Sequence, residues 1–218
     1  MTSRDRPFPI GPLVIGLTGS IGMGKTETAG LFAQLGIPVY DADRAVHRLY
    51  DEGGLAVAPI GEAFPDCIVE GRVDRACLAA RVGQDEAAFA RLERIVHPLV
   101  AREQEVFLDE ARNNGDEMVV LDIPLLFETG SETRMDAVVV VSAPREIQRA
   151  RVLARPGMTE EKLDSILARQ LPDMEKRARA HFVVETDKGL EQALGQVRDI
   201  VAALKAKLLA AKKGEADA

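Results

Sequence analysis

Residues 19–26 have the sequence Gly19-Ser20-Ile21-Gly22-Met23-Gly24-Lys25-Thr26, which fits the pattern G-x-x-x-x-G-K-[ST] at every specified position. Glycines let the backbone bend so that successive N–H groups point at phosphate oxygens. The N-terminus of a following helix adds positive partial charge. The segment therefore predicts a nucleotide phosphate-binding loop, and the alternative for such a segment is an ordinary glycine-rich turn.

The side chains of this loop have their own expected roles. Lys25 can reach the β- and γ-phosphates of a nucleotide, and the hydroxyl of Thr26 can ligate Mg²⁺. We include the following residue, Glu27, in the predicted site. The predicted ATP-binding residues are Gly19, Ser20, Ile21, Gly22, Met23, Gly24, Lys25, Thr26 and Glu27.

The sequence around the loop alternates between strand and helix patterns. An apolar run at residues 13–17 precedes the loop, and residues 25–35 follow it with a helical apolar face. Further apolar runs predict strands at 38–40, 118–123, 137–141 and 182–184. Apolar residues at helical spacings predict a mainly helical stretch at 55–115 and a long helix at 190–209. We therefore predict an α/β fold with a mostly parallel sheet that helices cover on both faces.

The composition of the 218 residues is globular, with 46% hydrophobic and 29% charged residues. The formal net charge of −7 argues against a general affinity for nucleic acid. No run approaches 18 apolar residues, and Pro7, Pro9 and Pro12 interrupt any apolar segment of a signal peptide. Cys67 and Cys77 are too few for a disulfide framework or a zinc site. We therefore expect a cytoplasmic protein with reduced, structural cysteines and no membrane partner, while its oligomeric state stays undetermined.

Several carboxylates follow predicted strands, at the edge where an open α/β sheet binds its ligands. Asp41 and Asp43 follow the second strand, where one of them can orient and deprotonate an acceptor hydroxyl. In an extended segment these two residues point to opposite sides, so we expect only one to face the acceptor. Asp122 ends the strand MVVLD, where a Mg²⁺-binding carboxylate is expected. The alternatives are a helix cap with a solvated neighbour at 41–43 and a loop aspartate at 122.

Arginines cluster after the strand at 137–141. Arg151 and Arg155 lie one helical turn apart before the break at Arg155-Pro156-Gly157. A hinged segment that carries them could close over ATP, exclude water and neutralise developing charge. The alternative is a solvated helical face with ion pairs to Glu160, Glu161 and Asp173.

The loop alone admits several classes of nucleotide-binding protein. The Asn-Lys-x-Asp motif that reads guanine in GTPases is absent, and the short chain without repeats disfavours a motor. A small-molecule kinase is the leading class. The alternatives are another nucleotide or small-molecule kinase, which an acceptor panel would identify, and a regulatory nucleotide-binding module, whose slow ATP turnover would ignore every acceptor.

Several blocks of the sequence together resemble the dephospho-coenzyme A kinase family over about residues 14–203. They are IGLTGSIGMGKT, LGIPV followed by DAD at 41–43, LERIVHP at 92–98, DIPLLFE at 122–128, and the lid-like pair Arg151 and Arg155 with Gln170. This sequence differs from the family's pattern at Ser20 and Met23 and at Pro156 and His181. It also differs at Glu185-Thr186, where the family frequently has Asp-Asn. That last departure leaves the adenine contact unassigned.

The resemblance implies a P-loop kinase that transfers the γ-phosphoryl group of ATP to the 3′-hydroxyl of the dephospho-CoA ribose, the last step of coenzyme A synthesis. It implies Asp43 as the base, Lys25 on the transferring group, Arg151 and Arg155 as phosphate clamps, and Mg²⁺ as cofactor. Acceptor contacts would include Asp43, His97, Leu125 and Leu126, and the predicted Mg²⁺ ligands are Thr26 and Asp122. For His97 the alternative is a packed residue at a helix end.

The same resemblance implies a kinase domain over residues 12–212. Its nucleotide-binding core would comprise 12–54, 116–145 and 180–212. A helical acceptor subdomain would span about 55–115 and a lid about 146–179, with a flexible tail at 213–218. ATP and dephospho-CoA are the implied partners.

Overall fold

The computed structural model describes residues 11–83 and 85–216, with side chains described up to residue 211. Pro7 and Pro9, which bear on the signal-peptide prediction, lie outside the described residues, as do the last two residues of the predicted tail. The strands are β1 (Leu13–Thr18), β2 (Val39–Asp41), β3 (Ile68–Val69), β4 (Arg72–Val73), β5 (Met118–Asp122), β6 (Ala137–Ser142) and β7 (Phe182–Glu185). The helices are α1 (Lys25–Gln34), α2 (Ala42–Tyr50), α3 (Val57–Ala63), α4 (Arg75–Val82), α5 (Glu86–Asn114), α6 (Arg145–Leu153), α7 (Glu160–Leu167), α8 (Asp173–Arg179) and α9 (Leu190–Ala216).

Two compact units make up the chain. The first contains the residues up to Tyr40 and those from Ala111 onward, and the second is Asp41–Glu110. The first unit carries the sheet and the glycine-rich loop, and the second is mainly helical.

The sheet of the first unit has the order β2-β5-β1-β6-β7. Strand β1 lies in the centre and pairs in parallel with β5 on one side and β6 on the other, while β7 extends the sheet beyond β6. All residues of β5 and β6 are buried, as continuous apolar strands must be when both faces of a sheet are covered. The predicted parallel α/β fold is therefore confirmed.

Two helices complete the main core around β1. Helix α1 contributes Ala29, Leu31 and Phe32, and α9 contributes Val197, Ile200, Leu204 and Leu208 at helical spacing. Helix α9 continues to Ala216, into the stretch that we expected to be a flexible tail. Within the described ranges, none of the helices combines the length and the apolarity that a membrane span requires.

The second unit has its own apolar cluster, in which Leu49, Ile60, Leu78 and Val96 are buried. Its helices follow the helical spacings of the sequence, but the unit also contains the antiparallel hairpin of β3 and β4. The prediction of a stretch with little strand structure missed this hairpin. Two residues per strand are too few for a periodic pattern to be visible.

A disulfide joins Cys67 and Cys77 in the second unit. The expectation of two reduced cysteines is therefore wrong for this structure. The β3–β4 hairpin folds the chain back on itself and brings the two Cα atoms within 5.4 Å, which ten residues of separation do not reveal. Cys67 is buried in the cluster, so the bond ties the hairpin and the start of α4 to the unit's core.

We expect Cys77→Ser to lower the free energy of unfolding of the oxidised protein by about 2–3 kcal/mol. The reason is that a cross-link over a short loop restricts the unfolded chain by about that amount. Thermal unfolding with and without a reductant measures the effect. In reductant the variant and the parent protein should unfold alike, and an equal difference under both conditions would contradict a role for the disulfide.

Candidate active site

The glycine-rich loop connects the end of β1 to the start of α1. Gly22 and Gly24 have φ angles of +77° and +92°, a region in which residues with a Cβ are strained. Gly24 is also the residue that precedes the first helical turn, so Lys25 and Thr26 begin α1. The backbone therefore has the bent form that aims N–H groups and a helix N-terminus at a bound anion.

Lys25 pairs with Asp122 across the edge of the sheet. The Lys25 Nζ lies 2.5 Å from the Asp122 Oδ1, and Asp122 is only 3% exposed. The pairing follows from the sheet register, because Asp122 aligns with Leu17 just before the loop begins. The structure thus brings together the two residues that the sequence placed at the phosphates and at the metal. A buried carboxylate beside the ammonium holds this cation at the mouth of the loop.

Met23 anchors the middle of the loop to the neighbouring strands. Its Sδ accepts the N–H of Ala143 at 3.1 Å, and its carbonyl accepts the hydroxyl of Thr186 at 2.7 Å. Arg151 in turn donates to the Thr186 Oγ1 at 2.8 Å and to the Thr186 carbonyl at 2.6 Å. The arginine predicted to clamp phosphate therefore lies beside the loop, held by a residue that follows β7.

The other arginines of the predicted lid are more exposed. Arg155 lies exposed in the turn after α6. Arg149 forms an ion pair with Glu160, which is one of the contacts expected if this face is merely solvated. Thr159 caps α7, because its side chain accepts the N–H of Lys162 at 3.3 Å. Of this arginine cluster, Arg151 is thus the one whose contacts link it to the loop.

Glu128, from the DIPLLFE block, binds the segment between α7 and α8. Its Oε1 accepts the N–H of Leu171 at 2.8 Å and lies 2.9 Å from the Nζ of Lys176, which is fully buried. Burial alone would raise the pKa of Glu128, but the Lys176 ammonium and the Leu171 N–H lower that pKa below its ordinary value. Glu128 is therefore ionised at neutral pH.

The two leucines of the same block differ in their exposure. Leu125 is 41% exposed, and Leu126 is fully buried against Gly16 in β1. Of these two predicted acceptor residues, only Leu125 presents its side chain at the surface of its unit. Leu126 belongs to the packing beneath the sheet.

The second unit carries the remaining predicted residues. Asp41 caps α2 by accepting the N–H of Arg44 at 2.9 Å, whereas Asp43 is exposed in the first turn of that helix. The helix already begins at Ala42, so the opposite-sides geometry of an extended segment does not apply, and 41–43 adopts the alternative of a helix cap with a solvated neighbour. His97 lies within α5, where it is 66% exposed and 3.7 Å from Glu93, so the alternative of a packed helix-end residue is wrong.

A cavity of about 390 Å³ also lies in the second unit. Phe64, Arg81 and Arg91 line it, and the Arg91 guanidinium lies 6.0 Å from the centre of the Phe64 ring. Neither Asp43 nor His97 belongs to its lining. None of its lining residues was predicted from the sequence to be functional.

Comparison with known proteins identifies the family. The family model described as dephospho-CoA kinase matches residues 13–192. The chain belongs to the dephospho-CoA kinase family.

Curated relatives and a solved structure support this membership. A dephospho-CoA kinase from Rhodopseudomonas palustris is 56% identical over 190 residues, which cover 87% of this chain and 94% of that protein. A dephospho-CoA kinase from Agrobacterium fabrum is 58% identical over 189 residues, covering 87% and 96% respectively. The crystal structure of TT1252 from Thermus thermophilus is 36% identical, with a TM-score of 0.80, and the alignment covers 88% of this chain and 97% of that one. The chain is thus a kinase of this family over most of its length.

Three contacts of this dephospho-CoA kinase family member were not predicted from its sequence. They are the anchor at Thr186, the buried Lys176 and the contact of Gln148 with the loop carbonyl at Ile21. Gln170 was indicated only by the family resemblance. A lysine in a segment rich in charged residues and a threonine after a strand carry no local pattern. Only the tertiary fold brings Thr186 to the loop and Lys176 to Glu128.

Removing the hydroxyl of Thr186 should weaken nucleotide binding. We expect Thr186→Val to raise the Kd for ATP about tenfold, because the Met23 carbonyl and Arg151 each lose a hydrogen-bond partner. Thr186→Ser keeps the hydroxyl and should bind ATP nearly as the parent protein does. Calorimetric titration with a non-hydrolysable ATP analogue measures both. Equal affinities for the parent protein and Thr186→Val would contradict this anchoring role.

Proposed function

We propose that this protein phosphorylates the 3′-hydroxyl of the dephospho-CoA ribose with ATP as donor and releases coenzyme A and ADP. The observation that carries the proposal is the family match over residues 13–192 in a chain whose phosphate loop holds Lys25 against Asp122. Little covalent chemistry is required of the protein in such a transfer. Catalysis then rests on positioning and on neutralising charge.

The donor side of the reaction falls to the first unit. The loop N–H groups and the N-terminus of α1 bind the phosphates, and Lys25 stabilises the charge that develops on the transferring group. Arg151 is proposed as a phosphate clamp: Thr186 holds it beside the loop through two of its N–H groups, and its remaining N–H groups are available to phosphate oxygens. Arg155, exposed in the turn after α6, is proposed to act with it.

Mg²⁺ is the proposed cofactor. The hydroxyl of Thr26 and the carboxylate of Asp122 are the hard oxygen donors that this ion prefers, so the residues fit it. Among the described residues no group of three or more His, Cys, Asp or Glu side chains could hold a metal ion. In nucleotide sites Mg²⁺ commonly binds one or two carboxylates together with the substrate phosphates. When bound, Mg²⁺ neutralises charge on the β- and γ-phosphates.

The acceptor side is proposed to involve Asp43 as the base, with His97 and Leu125 as contacts. Asp43 lies in the first turn of α2 and is exposed, so its carboxylate is available to a hydroxyl. Leu126 is the weakest of the proposed acceptor contacts because it is fully buried. The cytoplasmic location stays a prediction.

Replacing the proposed base should abolish transfer without abolishing ATP binding. We expect Asp43→Asn to lower kcat by about 100- to 10,000-fold, the usual contribution of a general base, and to leave the KM for ATP nearly unchanged. Asp41→Asn is the matched control, because asparagine also caps helices and this carboxylate serves the backbone of α2. Steady-state rates of ADP formation measure both variants. A kcat for Asp43→Asn close to that of the parent protein would exclude Asp43 as the base.

The function itself is tested by ADP release from Mg-ATP with and without dephospho-CoA, followed by mass spectrometry of the acceptor. We expect ADP release to depend on dephospho-CoA and the acceptor to gain one phosphoryl group on its 3′-hydroxyl. ADP release that ignores dephospho-CoA would overturn the proposal. Phosphorylation of a different acceptor in a panel would identify another kinase activity.

A further inference from the structure

One residue of the phosphate loop, Ile21, has both of its backbone polar groups bound by glutamines from outside the loop. The N–H of Ile21 donates to the Oε1 of Gln170 at 3.1 Å, and the Ile21 carbonyl accepts the Nε2 of Gln148 at 2.8 Å. Gln148 is buried in α6, and Gln170 lies between α7 and α8. The conformation of the loop at its third residue is thus set by two distant elements.

The position of Gln170 is set in turn by its neighbour. The N–H of Leu171 donates to the Oε1 of Glu128 at 2.8 Å, and the same oxygen lies 2.9 Å from the Lys176 Nζ. A single carboxylate therefore ties the backbone next to Gln170 to the first turns of α8.

The Glu128–Lys176 pair is a persistent attachment point. Lys176 is fully buried, and an ammonium group without an anionic partner is costly there. The lowered pKa of Glu128 keeps its carboxylate charged, so the ion pair is not lost by protonation at neutral pH. The segment between α7 and α8 is attached to this pair, so it has a defined position before substrate binds.

We propose that Gln170 is a positioning residue for phosphoryl transfer, which fixes the Ile21 peptide of the phosphate loop and is itself fixed by the Glu128–Lys176 ion pair. The proposal deepens the proposed function and rests on it, because the loop is taken to bind the triphosphate of ATP. Loss of Gln170 is expected to change only the donor side of the reaction. The alignment of the loop N–H groups changes, while the proposed acceptor residues within Asp41–Glu110 keep their positions.

The first experiment replaces Gln170 with methionine, which has a similar length and no acceptor oxygen. We expect Gln170→Met to raise amide hydrogen exchange at Ile21 and the KM for ATP each about tenfold, with the KM for dephospho-CoA unchanged. Gln34→Met, an exposed change near the far end of α1, controls for the substitution type. Exchange is followed by NMR, ATP binding by calorimetric titration with a non-hydrolysable ATP analogue, and the KM values by steady-state kinetics.

The second experiment separates the positioning role of the pair from its stabilising role. Glu128→Gln with Lys176→Met removes both charges but keeps an oxygen for the Leu171 N–H. Glu128→Leu with Lys176→Met removes that oxygen as well. We expect the first double variant to keep most of its affinity for ATP and the second to match Gln170→Met. Adding Gln170→Met to the second should cause no further loss, because the residues act in one chain of contacts.

The outcomes decide the proposal. Unchanged Ile21 exchange in Gln170→Met overturns it, and so do two double variants that differ only in melting temperature. If the second double variant does not fold, Gln170→Met and its exchange measurement still decide. Ile21 exchange and ATP binding are measured without dephospho-CoA. A protein that shows these changes but phosphorylates no dephospho-CoA would therefore overturn the proposed function and retain the positioning role.

Discussion

The structure depends on a loop whose peptide groups cannot all be paired within it. A chain that turns from β1 into α1 with left-handed glycines leaves N–H groups directed outward, which is what an anion needs. Because of the same geometry, the loop lacks the regular backbone hydrogen bonds of a helix or sheet that would keep it in place. Three backbone groups of the loop, at Ile21 and Met23, are instead paired by Gln148, Gln170 and Thr186 from elsewhere in the chain. The elements after β6 thus serve as a frame for a loop made near the start of the chain.

The parts of the site that could be predicted are those with a local signature. The glycine spacing fixes the loop, and Asp122 follows an apolar strand whose register with β1 brings it to Lys25. Burial on both faces leaves little choice of strand partners for such runs, so the parallel sheet could be predicted as well.

The parts that could not be predicted depend on pairings between distant residues. Lys176 resembles a surface lysine in the sequence, but it is fully buried because Glu128 lies opposite it. The disulfide is hidden for a related reason, since a hairpin of two residues per strand brings Cys67 to Cys77 without leaving a pattern. For Asp41 and Asp43 the sequence left two arrangements open, and the structure has the helix cap at Asp41, because a capping side chain determines where the extended chain ends.

The central position of β1 has a consequence for the order of folding during synthesis. Leu13 pairs with Met118 and Ile15 with Ala137, so β1 cannot complete its sheet until more than a hundred later residues have been made. At about 5–20 residues per second the ribosome needs several seconds or more for that stretch. The second unit, by contrast, is one continuous segment with its own apolar cluster, Asp41–Glu110. The part of the chain that emerges between β1 and its partners can thus fold first. The phosphate loop reaches its final structure only after β5 and β6 have been synthesised and have paired with β1.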